Sequence, residues 1–215
     1  ESTSHGMEES VKVAVVGRPN AGKSSLVNRL LNRERMIVDP IPGTTRDSID
    51  SHVKFHGSAI TIVDTAGLRR KSQVKNDVEY YGNLRALESI ERADVCALLV
   101  DATRGIGEQD LRIVRRIDEM RKGLVVCYNK WDIMEKDEKT FDRLVAELQH
   151  RYMQLRHVPI LAVSALTGKR LPAVLENALR IRRRLTSRVP PGRFRESVRR
   201  WTRTRPHPNV RNKQV

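Results

Sequence analysis

The sequence has only two cysteines and no long apolar run, and each scarcity excludes a class of protein. A structural zinc site needs more ligands than two cysteines supply, and a disulfide framework is typical of small secreted chains with more cysteines. Cys96 and Cys127 lie inside apolar segments, so both are expected to be small core residues in a reducing compartment. No apolar stretch approaches the roughly 18 residues that cross a membrane. We therefore expect a cytoplasmic protein without membrane association.

Basic residues are concentrated at one end of the chain, whose formal net charge is +15. Residues 180–215 hold twelve arginines and one lysine against one acid, a net of +12 that leaves +3 for residues 1–179. This break in composition predicts a boundary near Arg180. Basic blocks are typical of segments that bind nucleic acid or another polyanion, and a solvated or disordered tail explains the charge equally well. Residues 1–10 contain no apolar stretch of a secretory signal and are expected to be a linker or an expression remnant.

Short apolar runs alternate with helical periodicity between residues 11 and 181. The predicted strands are VKVAVVG, DVCALLVD, LVVCYNK and PILAVSA, together with HVKFH and SAITIVD, which are joined by a turn at Gly57. Core-facing helical stripes are predicted at Tyr80, Leu84 and Leu87, and at Phe141, Leu144, Val145, Leu148, Tyr152 and Leu155. The alternation predicts an α/β fold with a mostly parallel six-stranded sheet, one antiparallel edge strand and helices on both faces.

A phosphate-binding pattern follows the first strand. The residues Gly17, Arg18, Pro19, Asn20, Ala21, Gly22, Lys23 and Ser24 match G-x-x-x-x-G-K-[ST] between a strand and a helix, and Ser25 continues the predicted site. The glycines let backbone N–H groups turn onto phosphate oxygens at the positive end of the helix. Lys23 is predicted to reach the β- and γ-phosphates, and the Ser24 hydroxyl is predicted to bind Mg²⁺. The three-layer sandwich of the P-loop NTPases is therefore the expected fold.

Two further segments are expected to surround the γ-phosphate. The residues Asp64, Thr65, Ala66 and Gly67 end the strand SAITIV, where Asp64 can hold Mg²⁺ through its water shell. The backbone N–H of Gly67 can approach the γ-phosphate because no side chain blocks it. Thr45, in the segment PGTTRD, is the predicted second protein ligand of Mg²⁺, although that segment taken alone fits an ordinary turn equally well. Lys23, Thr45 and Gly67 are the predicted catalytic residues.

The base is expected to be read by the segment NKWD and by a later Ser-Ala element. Asp132 can accept two hydrogen bonds from guanine, a pattern that adenine lacks, so it selects GTP over ATP. The Lys130 stem can lie along the base plane, and Asn129 can tie this loop to the phosphate loop. The residues Ser164, Ala165 and Leu166 are predicted to supply a backbone N–H to the guanine oxygen.

These motifs, in this order, resemble the translation-factor-related GTPases. The match is closest to the second GTPase domain of the EngA (Der) family, in GRPNAGKSSLVN, PGTTRDSID, DTAGLRRKSQV, RALESIERAD, DATRGIGEQDLRI, NKWDIMEKDEKT and SALTG. The resemblance implies a GTPase domain over residues 11–184 and the first part of a KH-like domain over residues 185–215, in a fragment of a longer protein. It also implies a switch between GTP and GDP states that is monomeric and acts with the large ribosomal subunit and ribosomal RNA.

Leu68 makes the predicted hydrolysis unusual, because it stands where Ras-like enzymes carry a water-orienting glutamine. Slow intrinsic turnover is therefore expected, unless another charge compensates. Asn20 occupies the position at which potassium-activated relatives bind K⁺, and it could equally serve only to cap the loop. The alternatives are a GTPase of the Era or tRNA-modifying type, and an RNA-binding module that uses nucleotide for stability. Asp132 argues against an ATPase or a small-molecule kinase.

Overall fold

The computed structural model describes residues 10–32, 50–70 and 79–204. The strands are β1 Val11–Val16, β2 Ser51–Phe55, β3 Ser58–Ile62, β4 Val95–Asp101, β5 Gly123–Asn129 and β6 Ile160–Ala162. The helices are α1 Lys23–Leu31, α2 Thr65–Arg70, α3 Glu79–Arg92, α4 Glu108–Glu119, α5 Thr140–Arg151, α6 Leu171–Thr186 and α7 Pro191–Thr204, with a short 3-10 helix at Met153–Leu155. No helix within these described ranges is long and apolar enough to span a membrane.

The six strands form one sheet in the order β2-β3-β1-β4-β5-β6. Only the β2–β3 pair is antiparallel, and its hairpin lies at the edge of the sheet as the sequence predicted. The other neighbouring strands pair in parallel, with Val13 opposite Ile62 and Leu98 opposite Val126. The predicted α/β fold with a mostly parallel six-stranded sheet is confirmed.

Alternate residues of β1 enter two separate cores, as expected for a central strand covered on both faces. Val13 and Val15 join the cluster that contains α1 and α6 residues, among them Leu26 and Leu175. Ala14 and Val16 join the opposite cluster, which contains residues of α3, α4 and α5. Helices therefore cover both faces and complete the three layers.

The prediction that Leu84 faces the core is wrong, whereas Leu87 of the same stripe is half-buried and the side chain of Tyr80 lies outside the described residues. Leu84 is 51% exposed, whereas Ile90 near the end of α3 is 1% exposed and belongs to the core. Periodicity identifies one face of a helix but not how much of its length a sheet covers. The stripe from Phe141 to Leu155 does face the core, but it is divided, because the helix ends at Arg151 and Tyr152 is extended with φ −129° and ψ 94°.

The chain divides into two compact units, residues 1–183 and residues 184–215. The first unit contains the whole sheet. In the second unit, α7 buries none of its side chains, and Phe194 and Trp201 are 57% and 60% exposed. Phe194, Val198 and Trp201 follow one another at helical spacing, and five arginines occupy other positions of the same helix.

Candidate functional site

The parallel strands carry their carboxyl ends to one edge of the sheet, where ligands of such sheets bind. The phosphate-loop pattern starts directly after β1, and Asp64 follows β3 closely. The base-reading segment begins at the last residue of β5, and the Ser-Ala element follows β6. The fold therefore brings the described predicted motifs to one edge.

The phosphate loop presents positive charge at the start of α1. Lys23 is the first residue of α1, and its ammonium donates to the carbonyls of Gly17 at 2.9 Å and Arg18 at 2.7 Å. The first turn of α1 contains no acidic residue, so nothing there cancels the partial positive charge of the free N–H groups. Ser24 is half-buried in this turn and Ser25 is exposed. This arrangement is suited to a phosphate group.

A buried asparagine joins the phosphate loop to both base-side loops. Asn129 is 2% exposed; its amide nitrogen donates to the carbonyl of Ala21 at 2.7 Å, and its amide oxygen accepts the N–H of Ala165 at 2.9 Å. The asparagine passes close to Gly22, where φ is 96° and an added Cβ would lie 2.2 Å from the amide nitrogen. Only glycine fits there. The predicted link between Asn129 and the phosphate loop is therefore present.

The remaining residues of the phosphate loop differ in exposure and direction. Pro19 and Asn20 are exposed, and Asn20 has a left-handed φ of 62°, a conformation that asparagine adopts more readily than most residues. The Arg18 side chain leaves the loop and pairs with Asp110 at the start of α4, with 2.8 Å between Nε and Oδ2. The backbone of Arg18 remains in the loop.

The backbone of Leu68 links the two residues, Ser24 and Asp64, whose side-chain oxygens are predicted to bind Mg²⁺. The Ser24 hydroxyl donates to the carbonyl of Leu68 at 2.6 Å, and the N–H of Leu68 donates to the carbonyl of Asp64 at 3.3 Å. Mg²⁺ in nucleotide sites takes one or two protein oxygens and completes its shell with phosphate and water. The hydroxyl of Ser24 and the carboxylate of Asp64 are groups of the kind that meets that demand. Thr45 and the rest of the segment PGTTRD lie outside the described residues.

Asp64 is held from several sides. Its backbone N–H donates to Oδ1 of Asp50 at 2.9 Å, and its carboxylate accepts the N–H of Gly67. An added Cβ on Gly67 would lie 2.7 Å from the Asp64 carboxylate, which explains the glycine. Burial raises the pKa of Asp64, as does nearby Asp50, and the hydrogen bond from Gly67 and the charges of Arg85 and Arg92 only partly offset this rise. An opposite charge next to this carboxylate would therefore be favoured.

The residues after Asp64 form the short helix α2 and pack inward. Thr65 is buried, and its hydroxyl lies 2.8 Å from that of Ser51. Ala66 is half-buried, and the partly buried side chain of Leu68 packs against a core cluster. The leucine thus contributes to packing and offers no group that could orient a water molecule.

The base-reading loop is held by Asp101 and Lys136, which were not among the predicted site residues. Lys130 has a left-handed φ of 63°, and its ammonium lies 2.7 Å from Oδ2 of Asp101. Burial raises the pKa of Asp101, but hydrogen bonds from Lys130 and Thr103 outweigh it and leave the pKa of Asp101 below its ordinary value. Lys136 donates to the carbonyl of Trp131 at 2.7 Å. The signal for Asp101 was its place at the end of a buried strand.

Trp131 anchors the loop, and Asp132 stays accessible. Trp131 is 8% exposed and meets Phe141 edge to face, with ring centroids 5.8 Å apart. The backbone N–H of Trp131 donates to the carbonyl of Val163 at 3.1 Å. Asp132, the next residue, is exposed. A carboxylate on an anchored loop can receive hydrogen bonds from a ligand without first unfolding its surroundings.

The Ser-Ala element is fixed by its own hydrogen bonds. Ser164 is fully buried, and its hydroxyl accepts the N–H of Thr167 at 3.1 Å. The N–H of Ala165 is engaged by Asn129, and the side chain of Leu166 is 75% exposed. Of the backbone donors predicted for the guanine oxygen, that of Ala165 therefore already has an acceptor in this structure.

Comparison with known proteins gives matches to GTPases. Residues 12–130 match the family model described as 50S ribosome-binding GTPase. GTPase Der of Caldicellulosiruptor saccharolyticus is 44% identical over 97% of this chain and 47% of its own length. GTPase Der of Clostridium botulinum (strain Langeland) is 48% identical over 86% of this chain and 42% of its own length. The chain thus spans about half the length of these curated relatives.

A solved structure of Era, in complex with MgGDPNP and nucleotides 1506–1542 of 16S ribosomal RNA, is also similar. It is 28% identical, with a TM-score of 0.60, and the match covers 80% of this chain and 57% of the Era chain. The structure of elongation factor SelB from Methanococcus maripaludis with GPPNHP has a TM-score of 0.57 at 17% identity, which supports the fold alone.

Proposed function

The chain belongs to the 50S ribosome-binding GTPase family, and we propose that it is a Mg²⁺-dependent GTP switch acting in maturation of the large ribosomal subunit. The observation that carries the nucleotide part is the position of Asn129, whose one amide group joins the phosphate loop and the Ser-Ala loop. The loops that recognise the phosphates and the base are then held at a fixed distance from each other. The predicted EngA/Der resemblance is supported by relatives named GTPase Der over most of this chain.

Guanine is selected by Asp132 in this proposal. Its exposed carboxylate accepts the N1–H and the exocyclic amino group, while Lys130 covers the base plane. The same Lys130 ammonium lies on Asp101, and this pair holds the lysine stem in place. Competition of ATP against labelled GDP tests the selection, since ATP at the same concentration as unlabelled GTP should displace almost none of the label.

In this proposal the phosphate loop, the segment from Asp64 to Gly67 and the segment PGTTRD bind the phosphates and the metal. Lys23 and the α1 N–H groups hold the phosphates, and Ser24, Asp64 and Thr45 are the residues that would hold Mg²⁺. The ion, when bound, neutralises charge on the β- and γ-phosphates. Gly67 now donates its N–H to Asp64, so that N–H must exchange partners before it can reach the γ-phosphate.

Hydrolysis in this chain lacks a water-orienting side chain at Leu68, and we propose that K⁺ supplies the missing charge at Asn20. The exposed Asn20 amide stands on the phosphate loop, and amide or carbonyl oxygens suit a monovalent cation. We propose that backbone carbonyls near Pro40–Gly43, which lie outside the described residues, supply further ligands of K⁺. Asn20→Gly keeps the left-handed backbone and should abolish faster turnover in K⁺ than in Na⁺. Stimulation by K⁺ that survives in this variant would refute the role of Asn20.

Binding to ribosomal RNA is proposed from the family and from the arginines of residues 185–215, which we propose to be the start of a KH-like domain. A monomer that works in the cytoplasm is part of the same proposal. Phosphate contacts dominate nucleic-acid affinity and weaken with salt. GTP turnover should therefore rise with added large ribosomal subunits at low salt, and small subunits serve as the control. Equal rates with both subunits would contradict the proposed partner.

A second candidate is an RNA-binding module that uses nucleotide for stability, and Leu68 is the observation that favours it. The two candidates differ in turnover. A single-turnover assay with excess protein over GTP separates them, because the module would bind GTP and release it unchanged.

A further inference from the structure

Arg18 belongs to the phosphate loop by sequence, but its side chain points to another part of the fold. We infer that Arg18 and Asp110 form a positioning pair, which fixes the phosphate loop to the first turn of α4 and keeps the Arg18 guanidinium off the phosphates. The inference rests on the proposed nucleotide site. It assigns a function to Asp110, which lies in the segment DATRGIGEQDLRI but in none of the phosphate-binding or base-reading motifs.

The contacts of the pair are short and come from both sides. Arg18 Nε lies 2.8 Å from Oδ2 of Asp110, and Nη2 of Arg18 donates to the carbonyl of Gly105 at 2.6 Å. The same Oδ2 accepts the N–H of Gly107 at 3.0 Å, so Asp110 also caps α4. One carboxylate oxygen thus fixes both the start of a helix and the second residue of the phosphate loop.

Burial distinguishes this pair from ordinary surface ion pairs. The Asp110 side chain is 0% exposed and that of Arg18 is 24% exposed. Within the described part of the chain, Oδ1 of Asp110 is buried and has no hydrogen-bond partner. A buried carboxylate with an unsatisfied oxygen is a poor source of stability, because apolar residues of similar volume would do as well or better. Such pairs are better explained by the geometry that they impose.

The alternative function for Arg18 is direct contact with a phosphate. A guanidinium that swung toward the nucleotide would leave the Asp110 carboxylate buried without its cation, which is strongly unfavourable. Two of the contacts described above would also be lost, those to Asp110 and Gly105. The phosphates are left to Lys23 and to backbone N–H groups.

The connection between β4 and α4 contacts both the base-reading loop and the phosphate loop, at separate residues. Asp101, at the end of β4, holds Lys130 of the base-reading loop, while Gly105 and Asp110 hold Arg18 of the phosphate loop. Thr103 donates two hydrogen bonds to Asp101 and keeps the connection folded between these points. Because the Asp101–Lys130 contact shares no group with the contacts of Arg18, loss of the Arg18 pair should change phosphate recognition and leave base recognition intact.

The test compares GDP with GMP, because the ratio of their affinities isolates the β-phosphate. The variants are Arg18→Met, Asp110→Asn and the double variant, and the neutral Arg18→Gln replaces Arg18→Met if the latter does not fold. Arg116→Met is the matched control, since Arg116 pairs with Glu119 on the exposed side of the same helix. Nucleotide-free melting of each variant corrects for the folded fraction.

We expect each single variant to lose about tenfold in GDP affinity, with little change for GMP. The double variant should be no worse than either single variant, and Arg116→Met should match the wild type. If Arg18→Met weakens GDP but Asp110→Asn does not, Arg18 is a phosphate ligand and the inference is wrong. Additive losses, or equal losses for GDP and GMP, also overturn it. If the wild type fails to prefer GDP over ADP, the proposed function fails instead.

Discussion

The side-chain amide nitrogen of Asn129 donates to the backbone carbonyl of Ala21 at 2.7 Å, across 108 residues of sequence. The oxygen of the same amide accepts the N–H of Ala165, a further 36 residues along the chain. Three loops that follow three different strands are therefore joined at one buried side chain. A change at Asn129 should affect stability and nucleotide binding together.

Asn129→Ala should lower both the unfolding free energy and the affinity for GDP. The change leaves the carbonyl of Ala21 and the N–H of Ala165 without partners, and each buried unsatisfied group costs about 1–3 kcal/mol. We expect a loss of about 2–4 kcal/mol in urea unfolding. Asn177→Ala is the control, because the partners that the described residues give Asn177, Ala173 and Arg180, both lie in its own helix, so this variant should change stability little. Equal losses in the two variants would contradict the account.

Asp132→Asn should convert a guanine site into one that prefers xanthine. The amide can donate to the added carbonyl of xanthine, whereas it loses one or both hydrogen bonds from guanine. Because a hydrogen bond to a charged group contributes about 1.5–3 kcal/mol, GDP affinity should fall about 100-fold. Titration with fluorescent GDP and its xanthosine counterpart measures both effects. Unchanged affinity for GDP would refute the assignment of Asp132.

The pair formed by Asp101 and Lys130 should stabilise the fold in a pH-dependent way. The pKa of Asp101 is lowered in the folded state, so its contribution is complete above the unfolded pKa of about 3.9 and is lost as pH falls below that value. Asp101→Asn should lower the unfolding free energy by about 2 kcal/mol at pH 7. The difference from the wild type should shrink between pH 5 and pH 3.

Urea unfolding at pH 7, 5, 4 and 3 measures this trend. The exposed Asp118 on α4 provides the control, since Asp118→Asn should leave a small difference at each pH. A difference between wild type and Asp101→Asn that stays constant down to pH 3 would mean that the Lys130 contact contributes nothing.

The sheet and the positions of the motifs could be predicted because each depends on local pattern. Alternating apolar runs specify strands covered on both faces, and the turn at Gly57 specifies the hairpin. Asn129 could be placed because it opens the segment NKWD at the end of a predicted strand. Asp110 and Lys136 could not be found in this way, since their functions come from contacts with distant residues or loop carbonyls. Leu84 was wrongly predicted to be buried, because the apolar spacing of a helix does not reveal how much of its length packs against the sheet.

Single-turnover GTP hydrolysis in KCl and in NaCl, at matched ionic strength and with Mg²⁺, tests the central claim most directly. We expect measurable release of phosphate from GTP, faster in KCl than in NaCl, because the Leu68 side chain offers no group to orient water and the exposed Asn20 amide can bind a cation. Under the same conditions, ATP should remain intact. Release from ATP as fast as from GTP, or no release from GTP in either salt, would contradict the account.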